Sequence, residues 1–320
     1  MARFGSTYGA VLIGGLIALF LSGFVTMQTV LYYRVYRKDR VHIKLLVTAV
    51  WILDLFHSGL VLGANWQYQI IDRDYSGPIR IHWTIPACIT ITSVITFLVI
   101  SFYIHRLWTL SSHRTYLVLP IVLLNTFRVA AGFGSSAQMA SKTIWPEFTI
   151  HTGWLFAVCL TTSCALDFLV ASTLVLLLRQ NRTGFWRNLT IHFLPSSPSM
   201  DQVLDSITLY TIENGLLTSI TTIITLVVWL SMPHNLVFLG IHYTIAKLYA
   251  NSFLAMLNAR KNLQERARLS ASDVAPHSDS RRFSNFSAFF RKSHLNSGDS
   301  APFASIKNAA QRTSGKRDEL

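Results

Sequence analysis

Apolar positions dominate seven long stretches of the chain, and polar residues gather in the segments between them. A helix that crosses the hydrocarbon core of a bilayer needs about 20 predominantly apolar residues, and each stretch reaches that length. The pattern therefore predicts an all-α, polytopic membrane protein with a seven-transmembrane-helix bundle. The predicted spans lie near residues 8–33, 43–64, 84–104, 115–138, 152–178, 203–231 and 236–256.

The first apolar stretch, YGAVLIGGLIALFLSGFVTMQTVLYY, has two possible interpretations. It is longer than the apolar region of a secretory signal peptide, and the basic segment RVYRKDR follows it at once. A basic segment directly after a long apolar run is typical of a stop-transfer sequence. We therefore expect this stretch to be retained as the first span of a membrane domain that covers residues 1–258.

The segments between the spans set the expected orientation, because short cytoplasmic loops carry an excess of Lys and Arg. With the N-terminus outside, the inner segments hold 22 of the 28 basic residues and the outer segments 4, while Arg128 and Lys247 lie within spans. We therefore predict an external N-terminus and a cytoplasmic C-terminus. The glycosylation sequons at Asn181, Asn188 and Asn285 then fall on the cytoplasmic side, where they would stay unused.

Composition agrees with a chain whose main partner is the lipid bilayer. Hydrophobic residues make up 51% of the sequence and charged residues only 13%, against about 25% charged residues in soluble domains. The net charge of +13 does not indicate nucleic acid, because the basic residues flank apolar runs or lie near the C-terminus. The sequence has no phosphate-binding glycine loop, zinc spacing or nucleophile elbow, so we expect neither an enzyme nor a cofactor or metal.

Residues 259–320 differ sharply from the rest of the chain, since they are rich in serine and basic residues. This composition predicts a disordered cytoplasmic tail. Its segment RRFSNFSAFFRK combines basic charge with aromatic bulk, which favours adsorption to anionic lipids of the inner leaflet. Arginines precede Ser270 and Ser284 as basophilic kinases prefer, so both are candidate phosphorylation sites, and a cytoplasmic signalling partner of unknown identity is possible.

The chain ends in Arg-Asp-Glu-Leu, one residue from a signal that returns soluble proteins to the endoplasmic reticulum. The receptor for that signal faces the lumen. Because the predicted orientation places Leu320 in the cytosol, we interpret the match as coincidental. The sequence then leaves open whether the host is the plasma membrane or another endomembrane.

Ionisable and amide side chains occur within the predicted spans, where they are costly and usually face the interior of a bundle. Asp54 and His57 are three residues apart, as are Asn125 and Arg128, so each pair shares a helix face. The sequence therefore predicts a polar intramembrane pocket lined by some of these residues. The candidates are Asp54, His57, Asn125, Arg128, Asp167, Glu213, Asn214, His242, Lys247 and Asn251.

These residues allow more than one interpretation. They could fix helix packing, each interhelical hydrogen bond contributing about 0.6 kcal/mol, or they could line a ligand or ion site. Lys247, in the middle of the seventh span, lies where retinal proteins carry a Schiff base. The usual carboxylates on the third and seventh helices are missing here, which argues against a chromophore.

Two segments near the end of the membrane domain resemble a known family. TLYTIENGLLTSITTIITLVVW and KLYANSFLAMLNAR are similar to a large family of fungal, mainly basidiomycete, seven-span proteins that has only a domain-of-unknown-function label. The resemblance covers roughly residues 10–260 and is most specific across 205–260. It implies a seven-helix membrane protein with a shared exit motif, Asn258 and Arg260, but no ligand or reaction.

The outline also resembles a G-protein-coupled receptor, although specific motifs differ. The third span ends in HRLW rather than Asp-Arg-Tyr, and the seventh lacks Asn-Pro-x-x-Tyr. We expect a receptor-like or sensory protein whose bundle holds a pocket. The alternative is a small-solute, ion or proton transporter that uses intramembrane charges as a relay, although no internal repeat is evident.

Overall fold

The computed structural model describes residues 7–72, 77–111, 114–189, 198–232 and 235–274, with side chains described in these ranges except at 178–214 and 261–274. Within them the chain is helical apart from short connections and an isolated antiparallel bridge between Arg80 and Ile144. The helices are α1 (Gly9–Val35), α2 (Val41–Trp66), α3 (Thr84–Leu110), α4 (Thr115–Ala140), α5 (Trp145–His151), α6 (Gly153–Leu189), α7 (Pro198–Ser231) and α8 (Val237–Val274).

Five segments in these ranges are long and apolar enough to cross a membrane, and they match the first five predicted spans. They are Gly9–Val35, Val41–Ile71, Thr84–Leu110, Thr115–Ala140 and Gly153–Leu177. The sixth and seventh predicted spans also form helices, α7 and α8, of which α7 contributes the shorter apolar segment Gly215–Ser231. The protein is therefore a helical membrane protein, while the count of seven spans stays a prediction.

Several helices extend beyond the predicted spans, and α6, for example, continues to Leu189. A π-helical segment, Gln67–Ile71, prolongs α2, and the short helix α5 precedes α6. Pro146 at the start of α5 suits a first helical turn, where its missing N–H has no partner to lose. Helix α8 continues to Val274, beyond the predicted boundary at 258. The remainder of the predicted tail, 275–320, lies outside the described residues.

Side-chain burial separates a central helix from peripheral ones. Most α8 side chains between Leu236 and Leu257 are buried. By contrast, α1, α4 and α7 carry exposed apolar side chains such as Phe20, Leu123 and Ile220. Exposed apolar faces suit contact with lipid, whereas the polar residues of α8 need partners inside the bundle. The interior location of α8 gives its polar residues hydrogen-bonding partners on neighbouring helices.

The backbones of α1 and α8 touch at two glycines. A Cβ atom added to Gly14 would lie 2.2 Å from the carbonyl oxygen of Gly240, and one added to Gly240 would lie 2.4 Å from the carbonyl oxygen of Ala10. Any side chain at either position would therefore separate the helices. Small residues at such crossings allow the close van der Waals contact on which helix association in membranes depends.

The end of the bundle where α2 joins α3 is closed by aromatic side chains. The Trp229 ring lies 4.6 Å from that of Phe238 and 5.1 Å from that of Phe156, centroid to centroid. Beside them, Trp145 Nε1 donates to the hydroxyl of Tyr68 at 3.1 Å, and that hydroxyl donates to a main-chain carbonyl at 2.8 Å. The buried polar side chains described in the next section lie on the same helices, further from this aromatic end of the bundle.

Candidate functional site

A buried ion pair joins α2 to α8. Lys247 Nζ lies 2.8 Å from Asp54 Oδ1, and neither side chain is exposed. The same ammonium group donates to the main-chain carbonyl of Asp54 at 2.8 Å and to Ser58 Oγ at 2.7 Å. An ammonium group has three N–H donors, so Lys247 has as many close oxygens as it has protons. The two charges thus neutralise each other where no water reaches them.

Side chains of α1 and α8 complete this arrangement. Ser22 donates to the second carboxylate oxygen of Asp54, and its Oγ lies 3.0 Å from Ser58 Oγ. Asn251, one turn after Lys247, donates to the main-chain carbonyl of Leu21 at 3.0 Å. Three helices therefore meet at one set of polar atoms. We call this set the ion-pair cluster; it comprises Ser22, Asp54, Ser58, Lys247 and Asn251.

The two candidate histidines are buried beside aromatic rings. His57 Nε2 lies 3.2 Å from Thr92 Oγ1 of α3, and its ring contacts that of Tyr243 at 6.4 Å between centroids. The ring of His242 lies 5.5 Å from that of Phe156. The Nδ1 atom of each histidine has no hydrogen-bond partner among the described side chains. Their surroundings are those of packed interior residues.

A second polar cluster joins α6, α7 and α8 around Asp167. The hydroxyl of Tyr249 lies 2.8 Å from Oδ1 and 2.7 Å from Oδ2 of this carboxylate, and Thr218 Oγ1 donates to Oδ2 at 3.0 Å. All three residues are buried. We call Asp167, Thr218 and Tyr249 the Asp167 cluster. Both Asp54 and Asp167 accept hydrogen bonds from hydroxyl groups, but Asp167 has no ion pair among the described side chains.

The basic residue of α4 also lies in the interior but does not form an ion pair with a described carboxylate. Arg128 is 4% exposed, and its Nη2 donates to Asn125 Oδ1, one turn earlier on the same helix, at 3.5 Å. The expected proximity of Asn125 and Arg128 is thus present, as a long hydrogen bond. The Nε atom of Arg128 has no hydrogen-bond partner in the described part of the chain.

A small cavity adjoins the Asp167 cluster. Its volume is about 30 Å³, and its walls include the side chains of Asp167, Thr218, Tyr249, Ser252 and Tyr103 and the backbone at Gly215. A cavity of about 10–15 Å³ on this measure holds one water molecule, so the space accommodates water or a small ion and not an organic ligand. The aliphatic residues Ile100, Val170 and Ala171 also line the cavity, so the buried carboxylate borders a space whose walls are mostly apolar.

The predicted pocket residues are thus divided between separate groups. Asp54, Lys247 and Asn251 meet in the ion-pair cluster, whereas Asp167 lies in the other cluster. The side chains of Glu213, Asn214 and the candidate phosphorylation site Ser270 fall in the range without described side chains, and Ser284 lies outside the described residues. Whether either cluster binds a ligand stays a prediction.

The exit motif of α8 contacts α1 and the turn that follows α1. Asn258 Nδ2 donates to the main-chain carbonyl of Gln28 at 2.9 Å. Arg260 forms an ion pair with Asp39 at 2.5 Å, and its guanidinium lies 4.7 Å from the ring centroid of Tyr36. We call this group the Arg260 clasp; it comprises Tyr36, Asp39, Asn258 and Arg260. It fixes the part of α8 around Arg260 against the α1–α2 turn through charge and cation–π contact.

The hydroxyl groups that complete both clusters were not predicted from the sequence; they belong to Ser22, Ser58, Thr218 and Tyr249. Hydroxyls are common in membrane helices, where most donate to the carbonyl one turn earlier, as Thr222 donates to Thr218 at 2.9 Å. The sequence carries no signal that separates a hydroxyl bonded to its own helix from one that contacts a charged residue on another helix. Asp39 was likewise missed, because it lies in a short polar turn.

The fold and the buried polar clusters define a multi-pass helical integral membrane protein. The segment 163–262 matches a family described as "Family of unknown function (DUF6534)". This segment contains all of the Asp167 cluster and the α8 residues of the ion-pair cluster and clasp. It is shorter than the predicted resemblance over 10–260, and it includes the specific part at 205–260. No curated protein and no solved structure matches the chain.

Proposed function

We propose that the protein is a receptor-like or sensory seven-helix membrane protein, with its N-terminus outside and its C-terminus in the cytoplasm. Helices α7 and α8 would add the sixth and seventh spans, and the excess of basic residues in alternate segments supports the orientation. The observation that carries the proposal is the position of α8. This helix contributes to the ion-pair cluster, the Asp167 cluster and the Arg260 clasp, and the chain then continues toward the basic C-terminal segment.

The physical basis of signalling would be a shift of α8 between two arrangements. A stimulus can bias such an equilibrium only by its difference in affinity for the two states. Polar contacts between membrane helices each contribute about 0.6 kcal/mol, so a movement that exchanges one hydroxyl contact for another costs little, provided that Lys247 and Asp54 stay paired. A change at Lys247 would then alter the contacts of Arg260, which lies further along the same helix.

Hydrogen–deuterium exchange tests this coupling. We expect Lys247→Met to raise amide exchange at residues 36–40, which contact the clasp. The control is Tyr68→Phe, which removes a buried hydrogen bond near the opposite end of the bundle. If both variants raise exchange at 36–40 equally, or neither does, α8 does not transmit a local change and the proposal is overturned.

The alternative is a transporter, and one observation favours it: Asp167 borders a cavity without an ion pair among the described side chains. Proteoliposomes containing the purified protein would show proton or solute flux if this alternative holds. The matched variants are Asp167→Asn and Glu213→Gln, which remove charge with little change in volume. Flux that disappears in these variants would replace the receptor-like proposal with a carrier.

For the C-terminal segment we propose adsorption to anionic lipids through RRFSNFSAFFRK. Phosphorylation of Ser284 adds about −1.5 to −2 charge and would weaken that adsorption. Binding of the peptide 280–293, with and without phosphate at Ser284, to vesicles with and without phosphatidylserine measures both effects. Equal binding to neutral and anionic vesicles would contradict the lipid partner.

A further inference from the structure

A groove lies between α3 and α4, near the turn that joins the two helices. Its volume is about 320 Å³, and its apolar walls are formed by Ile104, Trp108, Val118, Leu119 and Val122. Trp108 and Leu119 are exposed on the surface of the bundle. Both helices are long and apolar enough to cross a membrane, so the groove opens toward the bilayer. The molecules that reach it most readily are therefore membrane lipids.

The groove extends over the part of the two helices that lies next to the membrane surface. Its lining residues fall within 101–108 of α3 and 115–122 of α4, which at 1.5 Å per residue is about 10 Å of each helix. This length is about a third of the thickness of a hydrocarbon core. Trp108 and Tyr116 lie at the same end, and such aromatic residues are typical of the level of the headgroups. The groove therefore suits the part of an acyl chain nearest its headgroup.

Polar groups lie at the end of the groove where α4 begins. His105 and Thr115 line this end, with Ser101 about one turn deeper, and no lining residue is acidic. Arg114 directly precedes Thr115; its side chain is exposed and forms no ion pair with a described carboxylate. No side chain caps the start of α4, and the free N–H groups of a helix start favour a negative charge. This end of the groove is therefore complementary to an anion.

We propose that the α3–α4 groove binds one anionic glycerophospholipid. One acyl chain lies along the apolar walls, and the phosphate group meets Arg114 and the start of α4. A sterol also suits apolar walls, but it carries no charge and leaves Arg114 without an anionic partner. In the predicted orientation the groove faces the cytoplasmic leaflet, which is rich in anionic lipids.

This site belongs to the helical bundle and is separate from the adsorption proposed for RRFSNFSAFFRK. It holds for a receptor and for a carrier alike, because it concerns binding of a lipid from the surrounding membrane. A bound lipid that contacts both α3 and α4 stabilises the folded bundle.

The test uses the purified full-length protein, delipidated in detergent, with phosphatidylserine or phosphatidylcholine added at equal concentrations. Native mass spectrometry counts the lipids that remain bound to each chain, and the Tm reports binding to the folded state. We expect one phosphatidylserine per chain to be retained at concentrations at which phosphatidylcholine is lost, and a Tm that rises with phosphatidylserine. Equal retention of the two lipids would overturn the proposal.

Variants locate the bound lipid, and the C-terminal segment is intact in all of them. We expect Arg114→Gln to weaken phosphatidylserine binding about tenfold, as for the loss of one charge-assisted contact. The control Lys38→Gln removes an exposed charge from the α1–α2 turn and should retain binding. Ser101→Phe fills the groove and should prevent binding, whereas Ser172→Phe places the same ring on an exposed part of α6 and should not.

Two further outcomes would count against the α3–α4 groove. Unchanged binding in both Arg114→Gln and Ser101→Phe would assign the lipid to another surface and overturn the proposal. Retention of cholesterol but not of phosphatidylserine, lost in Ser101→Phe and unchanged in Arg114→Gln, would identify the occupant as a sterol and would also overturn it.

Discussion

Lys247 of α8 and Asp54 of α2 form an ion pair at 2.8 Å in which neither side chain is exposed. Separated by 193 positions in the sequence, they join the second helix to the last. Breaking a buried pair on one side leaves a charge without compensation, which costs far more than the pair itself contributes. This asymmetry allows the pair to be tested by comparing single and double variants.

We expect Lys247→Met to destabilise the protein by about 3–5 kcal/mol, because Asp54 is left charged and unpaired in the interior. The double variant Asp54→Asn with Lys247→Met should lose less, since no charge remains. Thermal unfolding in detergent measures both. The control is Lys142→Met, which breaks the pair with the 41% exposed side chain of Glu147 and should cost less than about 1 kcal/mol. Equal losses for Lys247→Met and Lys142→Met would contradict the assignment.

Two tyrosines of α8 form a matched pair for testing the Asp167 cluster. Tyr249→Phe removes the hydroxyl that contacts both oxygens of Asp167, so we expect a loss of about 1.5–3 kcal/mol, as for hydrogen bonds to charged groups. Tyr243 is also buried, but its hydroxyl has no hydrogen-bond partner in the described part of the chain. Tyr243→Phe should therefore be neutral or stabilising. A similar loss in both variants, measured by chemical unfolding, would show that the ring environment matters and not the carboxylate contact.

The crossing of α1 and α8 predicts a strong dependence on side-chain size. Gly240→Ala places a methyl group 2.4 Å from a main-chain oxygen of α1, so we expect overpacking to cost about 1–3 kcal/mol. Gly23→Ala, on α1 with no atom within 4 Å of the new methyl group, should instead stabilise the helix by up to about 1 kcal/mol. The melting temperatures of the two variants should move in opposite directions. If both melting temperatures fall, the loss of stability comes from replacing glycine within a helix and not from the contact between α1 and α8.

The predicted orientation is tested by glycosylation in a eukaryotic expression host. We expect Asn181, Asn188 and Asn285 to remain unmodified, because their sequons lie on the cytoplasmic side of the predicted topology. A flexible acceptor peptide added before Met1 should be glycosylated and serves as the positive control. Mass spectrometry of the purified protein reads all four sites. Modification at Asn285 would show that the true topology is the reverse of the predicted one, with the terminal Arg-Asp-Glu-Leu in the lumen.

The sequence was sufficient to predict the helical membrane class, and Asp54, Arg128, Asp167 and Lys247 are buried as the cost of charge in a span led us to expect. Hydropathy and charge are local properties, so spans such as 84–104 agree with helices such as Thr84–Leu110. The partners of those charges were not predictable, because Asp54 could have met Lys247 or Arg128 in any of several helix arrangements. Ser22 and Thr218 resemble other hydroxyl residues until the fold brings carboxylates to them. The central place of α8 also depends on packing, since hydropathy alone does not place α8 among the helices that are apolar enough to cross a membrane.

The contact between the first and last helices has a consequence for biosynthesis. Asn251 donates to the carbonyl of Leu21, 230 positions earlier, and the glycine crossing lies on the same two helices. Helices α1 and α2 leave the ribosome long before α8 is translated. During this part of synthesis Asp54 can contact Ser22 but has no Lys247 to balance its charge. We expect nascent chains to need protection by the insertion machinery until α8 arrives. Chains that end before α8 should be degraded as incomplete, even though every earlier helix has been inserted.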